Sequence, residues 1–199
     1  MKLPMIAVGL LLALPLSATA ADGSAPAGSS TALGAEPELA DIIKAYARRT
    51  GKKFIIDPRV RAMGGLAGID PDKISYEQLL ALTSVHGFVA VQQGDLVVVT
   101  VDAAARQQPT PVYTDTRFKA LDDEWVTLLL GAKKICVANI VPILRPLMPQ
   151  AAHLAANPQS NQLLIADRAV NARRIATLVE KLDDATPAGR ACADLESSK

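Results

Sequence analysis

An α+β fold in two small modules is expected of this chain. Apolar residues recur at helical spacing in four stretches, and short runs rich in Val, Ile and Leu lie between them. A polar, proline-containing segment over residues 102–123 divides this pattern in two. Half of the 199 residues are hydrophobic and only 4% are aromatic, so the cores are expected to be built from Leu, Ile, Val and Ala.

The start of the chain has the features of an export signal over residues 1–20. Lys2 supplies a positive start, Met5 to Leu16 an apolar run, and Ala18-Thr19-Ala20 a small-residue cleavage site. The apolar run is too short for a stable membrane span. Without Lys2 the chain carries 20 basic and 20 acidic side chains, a formal charge of zero. That argues against nucleic acid, whose binding draws on cationic neutralisation of phosphates. Residues 21–35, small and polar, are expected to form a flexible leader.

The first module is expected over 36–101. Pro37 precedes a helix whose inner face is Leu39, Ile42, Ile43 and Tyr46, and Gly51 stops it. "KKFIIDP" is a short strand ending at Pro58, and "RVRAMGGLAGIDPDK" is irregular. Ser75 and Gln78 form a capping box for a second helix carrying Leu79, Leu80 and Thr83 inward and ending at Gly87. "FVAVQ", a turn over Gln93-Gly94-Asp95 and "LVVVTV" make a β-hairpin. In its second strand Leu96, Val98 and Thr100 alternate with Val97, Val99 and Val101. Such a two-sided apolar strand is either central or an edge to which a partner adds.

Residues 102–123 are expected to be a linker, and 124–184 the second module, in the order β-α-β-β-α. "EWVTLLL" is a strand, and Val137–Leu147 a helix that tolerates Pro142 if it lies in the first turn. Strands over Ala151–Ala156 and Gln162–Asp167 flank a turn that Pro158 pre-sets. Asn157, Ser160 and Asn161 are expected to close it through side-chain to backbone hydrogen bonds. A helix from Ala169 to Leu182 presents Ile175, Leu178, Val179 and Leu182 on one face. Two helices on one face of a small sheet bury these stripes economically. Residues 185–199 are expected to be a disordered tail.

Little here points to chemistry. The two histidines fall in different modules, His86 in the last turn of a helix and His153 on a strand. No metal-binding or nucleophile motif is present. Asp70 and Asp72 flank Pro71 in ordinary turn chemistry, and Gly65-x-x-Gly68 lacks the basic, helix-flanked setting of a nucleic-acid clamp. No catalytic residue, cofactor, metal or small-molecule substrate is therefore expected. Cys136 and Cys192 could pair in an oxidising compartment, or Cys136 is partly buried and Cys192 free on the tail.

Two segments carry a family resemblance. "TGKKFIIDPRVR" with "ISYEQLLALTSVHGFVAVQQGDLVVVTV" resembles the first periplasmic domain of bacterial secretins, shared with the signalling domain of some TonB-dependent receptors. "VANIVPILRPLMPQAAHLAANPQSNQLLIADRAVNARRIATLVEKLD" resembles the secretin domain repeated in type II secretion and type IV pilus channels. The resemblance implies a KH-like second module and a periplasmic location, associated with the outer membrane through a secretin complex. Its implied partners are secretin subunits, inner-membrane secretion components or further copies of the chain. Secretins continue into a β-barrel, whereas this sequence stops after the second module, so no channel activity is expected. Cys136 stands where the family's helix has a capping Ser or Thr, which should weaken that helix start by ~1 kcal/mol. The expected function is docking, assembly or gating in a secretion machine. A periplasmic enzyme inhibitor and a truncated secretin remnant are the alternatives.

Overall fold

The structure, a computed structural model, describes residues 36–187 and Cys192. The expected signal peptide, the leader, and the tail beyond residue 187 apart from Cys192 lie outside the described residues.

The first sheet is built around its hairpin. β1 (Lys53–Ile56) runs parallel to β3 (Leu96–Val101), and β2 (Phe88–Gln93) pairs antiparallel with β3, giving the order β1-β3-β2. β3 is therefore the central strand. Both of its backbone edges are occupied, and Leu96, Val98 and Thr100 form no free edge for a partner. Positive φ falls on Gly94 alone in the two-residue loop Gly94-Asp95, the sign pattern of a type II′ turn.

α1 (Leu39–Thr50) and α2 (Tyr76–Val85) cover one face of this sheet. α1 buries Leu39, Ile42, Ile43 and Tyr46 and ends at Gly51, which sits at φ 74° where a Cβ is penalised. α2 opens with the Ser75–Gln78 capping box, both hydrogen bonds being made, and buries Leu79, Leu80, Leu82 and Thr83. The irregular stretch before α2 is tied to the start of α1. Leu39 N donates to Ala62 O at 2.8 Å and Gly64 N to Pro37 O at 2.7 Å. Asp70 accepts from the Asp72 amide and caps a short 3-10 turn over Pro71–Lys73.

The second sheet has the order β4-β5-β7-β6. β5 (Trp125–Gly131), β7 (Gln162–Arg168) and β6 (His153–Asn157) are antiparallel neighbours. β4 (Val112–Tyr113) adds in parallel to β5. α3 (Val137–Leu144) and α4 (Ala169–Ala185) share one core with Val126, Leu128, Leu130, Leu163 and Ile165, so both helices cover the same face. Two details depart from expectation. Pro142 is the sixth residue of α3, beyond the first turn, and the helix ends two residues later in a 3-10 turn over Arg145–Leu147. α4 turns Ala172 and Ala176 into the core beside Ile175 and Val179 and leaves Leu182 37% exposed.

Residues 102–123 are not a loose tether. A 3-10 helix over Asp102–Gln107 buries Ala105, β4 follows, and Phe118 packs into the second core. The described residues belong to one compact unit. Val89 and Val91, on the face of the first sheet away from its helices, pack against Ala105 and Trp125. That contact covers the second apolar face of the hairpin.

Gly64 tests the tie between the irregular stretch and α1. A Cβ there would lie 2.7 Å from Ile42 Cδ1 and 2.9 Å from Pro37 O. Gly64→Ala should destabilise the protein by about 1–3 kcal/mol in chemical denaturation. At Gly65 a Cβ meets no atom within 4 Å, and only its φ of 50° opposes a side chain. Gly65→Ala should therefore cost about 1 kcal/mol.

Candidate functional site

Three features of the structure could serve binding: free sheet edges, the junction of the modules, and a pinned loop at one end of the second module. Among the described residues the edge strands are β1 and β2 in the first sheet and β4 and β6 in the second. Ile55 on β1 is 52% exposed, which gives that edge an apolar side chain beside unpaired backbone.

The junction is organised by Arg168. Its Nη2 donates to Phe88 O at 3.2 Å, its Nε lies 3.7 Å from Asp123 Oδ1, and its guanidinium stands 5.6 Å from the centroid of the Trp125 ring. The indole N–H of Trp125 is buried and has no acceptor among the described residues. Gln93 and Gln108 add a side-chain hydrogen bond of 3.1 Å, and the hydroxyls of Thr110 and Thr127 a second at the same distance.

The pinned loop joins β5 to α3. Asn161 sits in the left-handed region at φ 49°, which Asn tolerates better than most residues. From there its side chain leaves its own turn. Nδ2 donates to Ala132 O at 2.8 Å and Ile135 O at 2.9 Å, and Oδ1 accepts from Val137 N at 3.0 Å. Its backbone carbonyl accepts from Ala132 N at 3.1 Å. From the other side the Asp183 carboxylate accepts from the amides of Lys133, Lys134 and Ile135. Partial burial works against its charge, but the three amide hydrogen bonds prevail and hold its pKa below the usual carboxylate value.

These contacts correct two expectations about the turn and the helix start. Asn157 does close the turn, accepting from Gln159 N at 3.1 Å, and Asn161 N donates back to Pro158 O. Ser160, however, is exposed and makes no side-chain hydrogen bond among the described residues. Cys136 is the N-cap of α3 and gives no side-chain cap, but Asn161 satisfies the first amide of that helix from across the sheet. That bond supplies one unpaired amide of the helix start, though not one that a Ser or Thr at 136 would cap. Cys136 is buried and joined to Cys192 by a disulfide, with a Cα–Cα distance of 4.7 Å.

The remaining candidates do not converge. His86 caps the end of α2, and His153 is exposed on β6. Among the described residues no cluster of His, Cys, Asp and Glu could hold a metal ion. Asp167, fully buried, is a residue that sequence reasoning placed at a strand end and left without a role. Burial pushes its carboxyl pKa up, while the Asn171 side chain and the Arg168 amide donate to it and hold the start of α4. Arg168, Asp183 and Trp125 were also missed. Their spacing carries no motif, because each acts on a partner tens of residues away.

Comparison with known proteins agrees with this architecture. Residues 35–99 match the family model described as GspD-like, N0 domain. The chain is 31% identical over 191 residues to the secretin XcpQ of Pseudomonas aeruginosa, an alignment spanning 89% of this chain and 28% of XcpQ. The chain resembles the N-terminal domains of bacterial secretins. The secretin ExeD of Aeromonas hydrophila is 28% identical over 182 residues, covering 89% of this chain and 27% of ExeD. In a solved Klebsiella pneumoniae type II secretion system outer membrane complex, of PulD, PulS and PulC HR domain, the matching chain superposes with a TM-score of 0.64. It shows 25% identity over 75% of this chain and 26% of that one. The chain thus spans about a quarter of the length of the curated secretins it matches. Among the described residues no helix is long and apolar enough to cross a membrane.

The pinned loop yields two expected outcomes. Asn161→Ala removes three side-chain hydrogen bonds and puts a Cβ without a polar group at positive φ, and should cost about 2–4 kcal/mol in denaturant titration. Asn161→Gly relieves only the backbone and should recover about 1 kcal/mol of that. Asp183 makes the loop acid-sensitive. Its folded pKa is depressed, so its contribution is present above the unfolded carboxylate pKa and is lost as pH falls through the folded value. Asp183→Asn should therefore lower the melting temperature at pH 7, and the gap to the unsubstituted protein should close as pH falls below about 4.

Proposed function

We propose that this chain is a non-catalytic periplasmic interaction module of a type II secretion machine, acting in docking, assembly or gating at a secretin. The observation that carries the reading is similarity to secretins running through both modules, over 89% of the chain for XcpQ. The Klebsiella complex supports the choice of partners, because there PulD is seen with PulS and the PulC HR domain. By analogy the partners are secretin subunits, inner-membrane secretion components, or further copies of this chain. The second module, β5-α3-β6-β7-α4 with β4 added, has the element order of a KH-like domain, and we assign that relationship to it. The modules we propose span 36–101 and 124–184, with 102–123 as an ordered connection.

Edge pairing is the physical route. Among the described residues the backbone of β1 is unpaired on one side, and Ile55 offers an apolar contact beside it. A periplasmic location also fits the Cys136–Cys192 disulfide, since such bonds persist in oxidising compartments.

Photo-crosslinking in vivo from position 55 of the full chain tests the reading. Adducts with a secretin or with inner-membrane secretion components are expected, together with a secretion defect on deletion. Capture of one hydrolase would favour an inhibitor. No specific adduct and no secretion phenotype would contradict docking. The disulfide is checked separately. Alkylation of the unfolded protein should label no thiol before reduction and two after, and Cys192→Ser should lower stability by about 2–4 kcal/mol for a cross-link of this span.

A further inference from the structure

The junction holds a cleft of about 250 Å³ that no feature of the secretin reading uses. One wall is the outer edge of β2 at Ala90, Val91 and Gln92; the other is formed by Tyr113, Glu124 and Trp125. We propose that this cleft binds an extended peptide segment, which adds as a strand to β2 and lays an apolar side chain against Val91 and Tyr113.

The register fixes which backbone groups are free. Gln93 and Leu96 flank the two-residue loop and so form a hydrogen-bonded pair. Pairing alternates from there, which turns the amides and carbonyls of Gln92 and Ala90 away from β3. Phe88, of the same parity, shows this directly, because Arg168 reaches its carbonyl from outside. Beyond that point the edge has no backbone partner among the described residues and faces the cleft. A ligand that satisfies alternating donors and acceptors along a strand is another extended backbone.

The side chains narrow the chemistry. The Trp125 ring contributes to the cleft wall and is 2% exposed. Val91 and Tyr113 call for a small apolar side chain. Glu124 is the one charged group in the wall, so a basic residue flanking the apolar one fits and an acidic one does not. The volume accommodates about two residues, a short segment rather than a domain.

The proposal does not rest on the secretin reading and is tested apart from it. A library of phage-displayed linear heptapeptides is selected on the full chain, and enriched sequences are titrated as fluorescein-labelled peptides. Apolar segments with a basic flank should be enriched. They should shift the emission of Trp125, the chain's one tryptophan. Two variants read the strand edge and the acidic wall. Gln92→Pro removes an outward amide at an exposed edge position without touching the ladder to β3. Glu124→Gln keeps the size of that wall residue and removes its charge. Each should weaken binding at least tenfold while melting cooperatively, and Val85→Ser, at a site 81% exposed on α2, should not. Replacing the basic flank with Glu should weaken binding likewise. No enrichment, no shift of the tryptophan emission on titration, or undiminished binding to both variants would overturn the proposal. So would a concentration-dependent dimer that Gln92→Pro abolishes and no peptide displaces, which would assign the edge to a second copy.

Discussion

The second module depends on how one loop is held. Residues 132–136 carry the chain from β5 on one side of the core to α3 on the other, and they contribute few side chains to that core. Their backbone groups need partners, and two side chains from other elements supply them. Asn161 binds from the β6–β7 turn and Asp183 from the last turns of α4. A third tie is covalent, through Cys136. Loop, turn and helix end thus fix one another, and α3 begins where it does because Asn161 accepts from its first amide.

This arrangement explains what the sequence revealed and what it hid. α1 was legible because its core face, its starting proline and its stopping glycine all lie within fifteen residues. The Ser75–Gln78 box was legible for the same reason. Asn161 was legible as a turn residue, since a left-handed Asn after proline is local chemistry. Its main task was not, because Ala132 and Ile135 lie 29 and 26 positions away. Asp183 carries no local signal, because the amides it accepts from lie 48 to 50 positions away. The alternation in β3 left central and edge readings open. What decided between them was the parallel strand β1, some forty residues earlier, which no local pattern announces.

The connection between the modules was the largest surprise of composition. Its two prolines and polar residues suggest a tether, yet Ala105, Val112–Tyr113 and Phe118 each find a place in a core or sheet. Sparse apolar residues without a period carry little local signal, but three anchors suffice once two sheets stand on either side. The consequence is functional. Because the connection packs, the outer face of the hairpin meets Trp125, and Arg168 joins Phe88 to Asp123. A secretin-like module built this way can present edges from both sheets to partners in a defined relation, whereas a loose tether would leave each to dock alone.

Amide hydrogen exchange resolved by residue tests the pinned loop most directly. The amides of Lys133, Lys134, Ile135 and Val137 should exchange as slowly as those of β5 and β7, and all four should lose that protection together in Asn161→Ala. Fast exchange at these positions in the unsubstituted protein, with β5 and β7 protected, would show that the second module does not depend on the loop and would contradict the account.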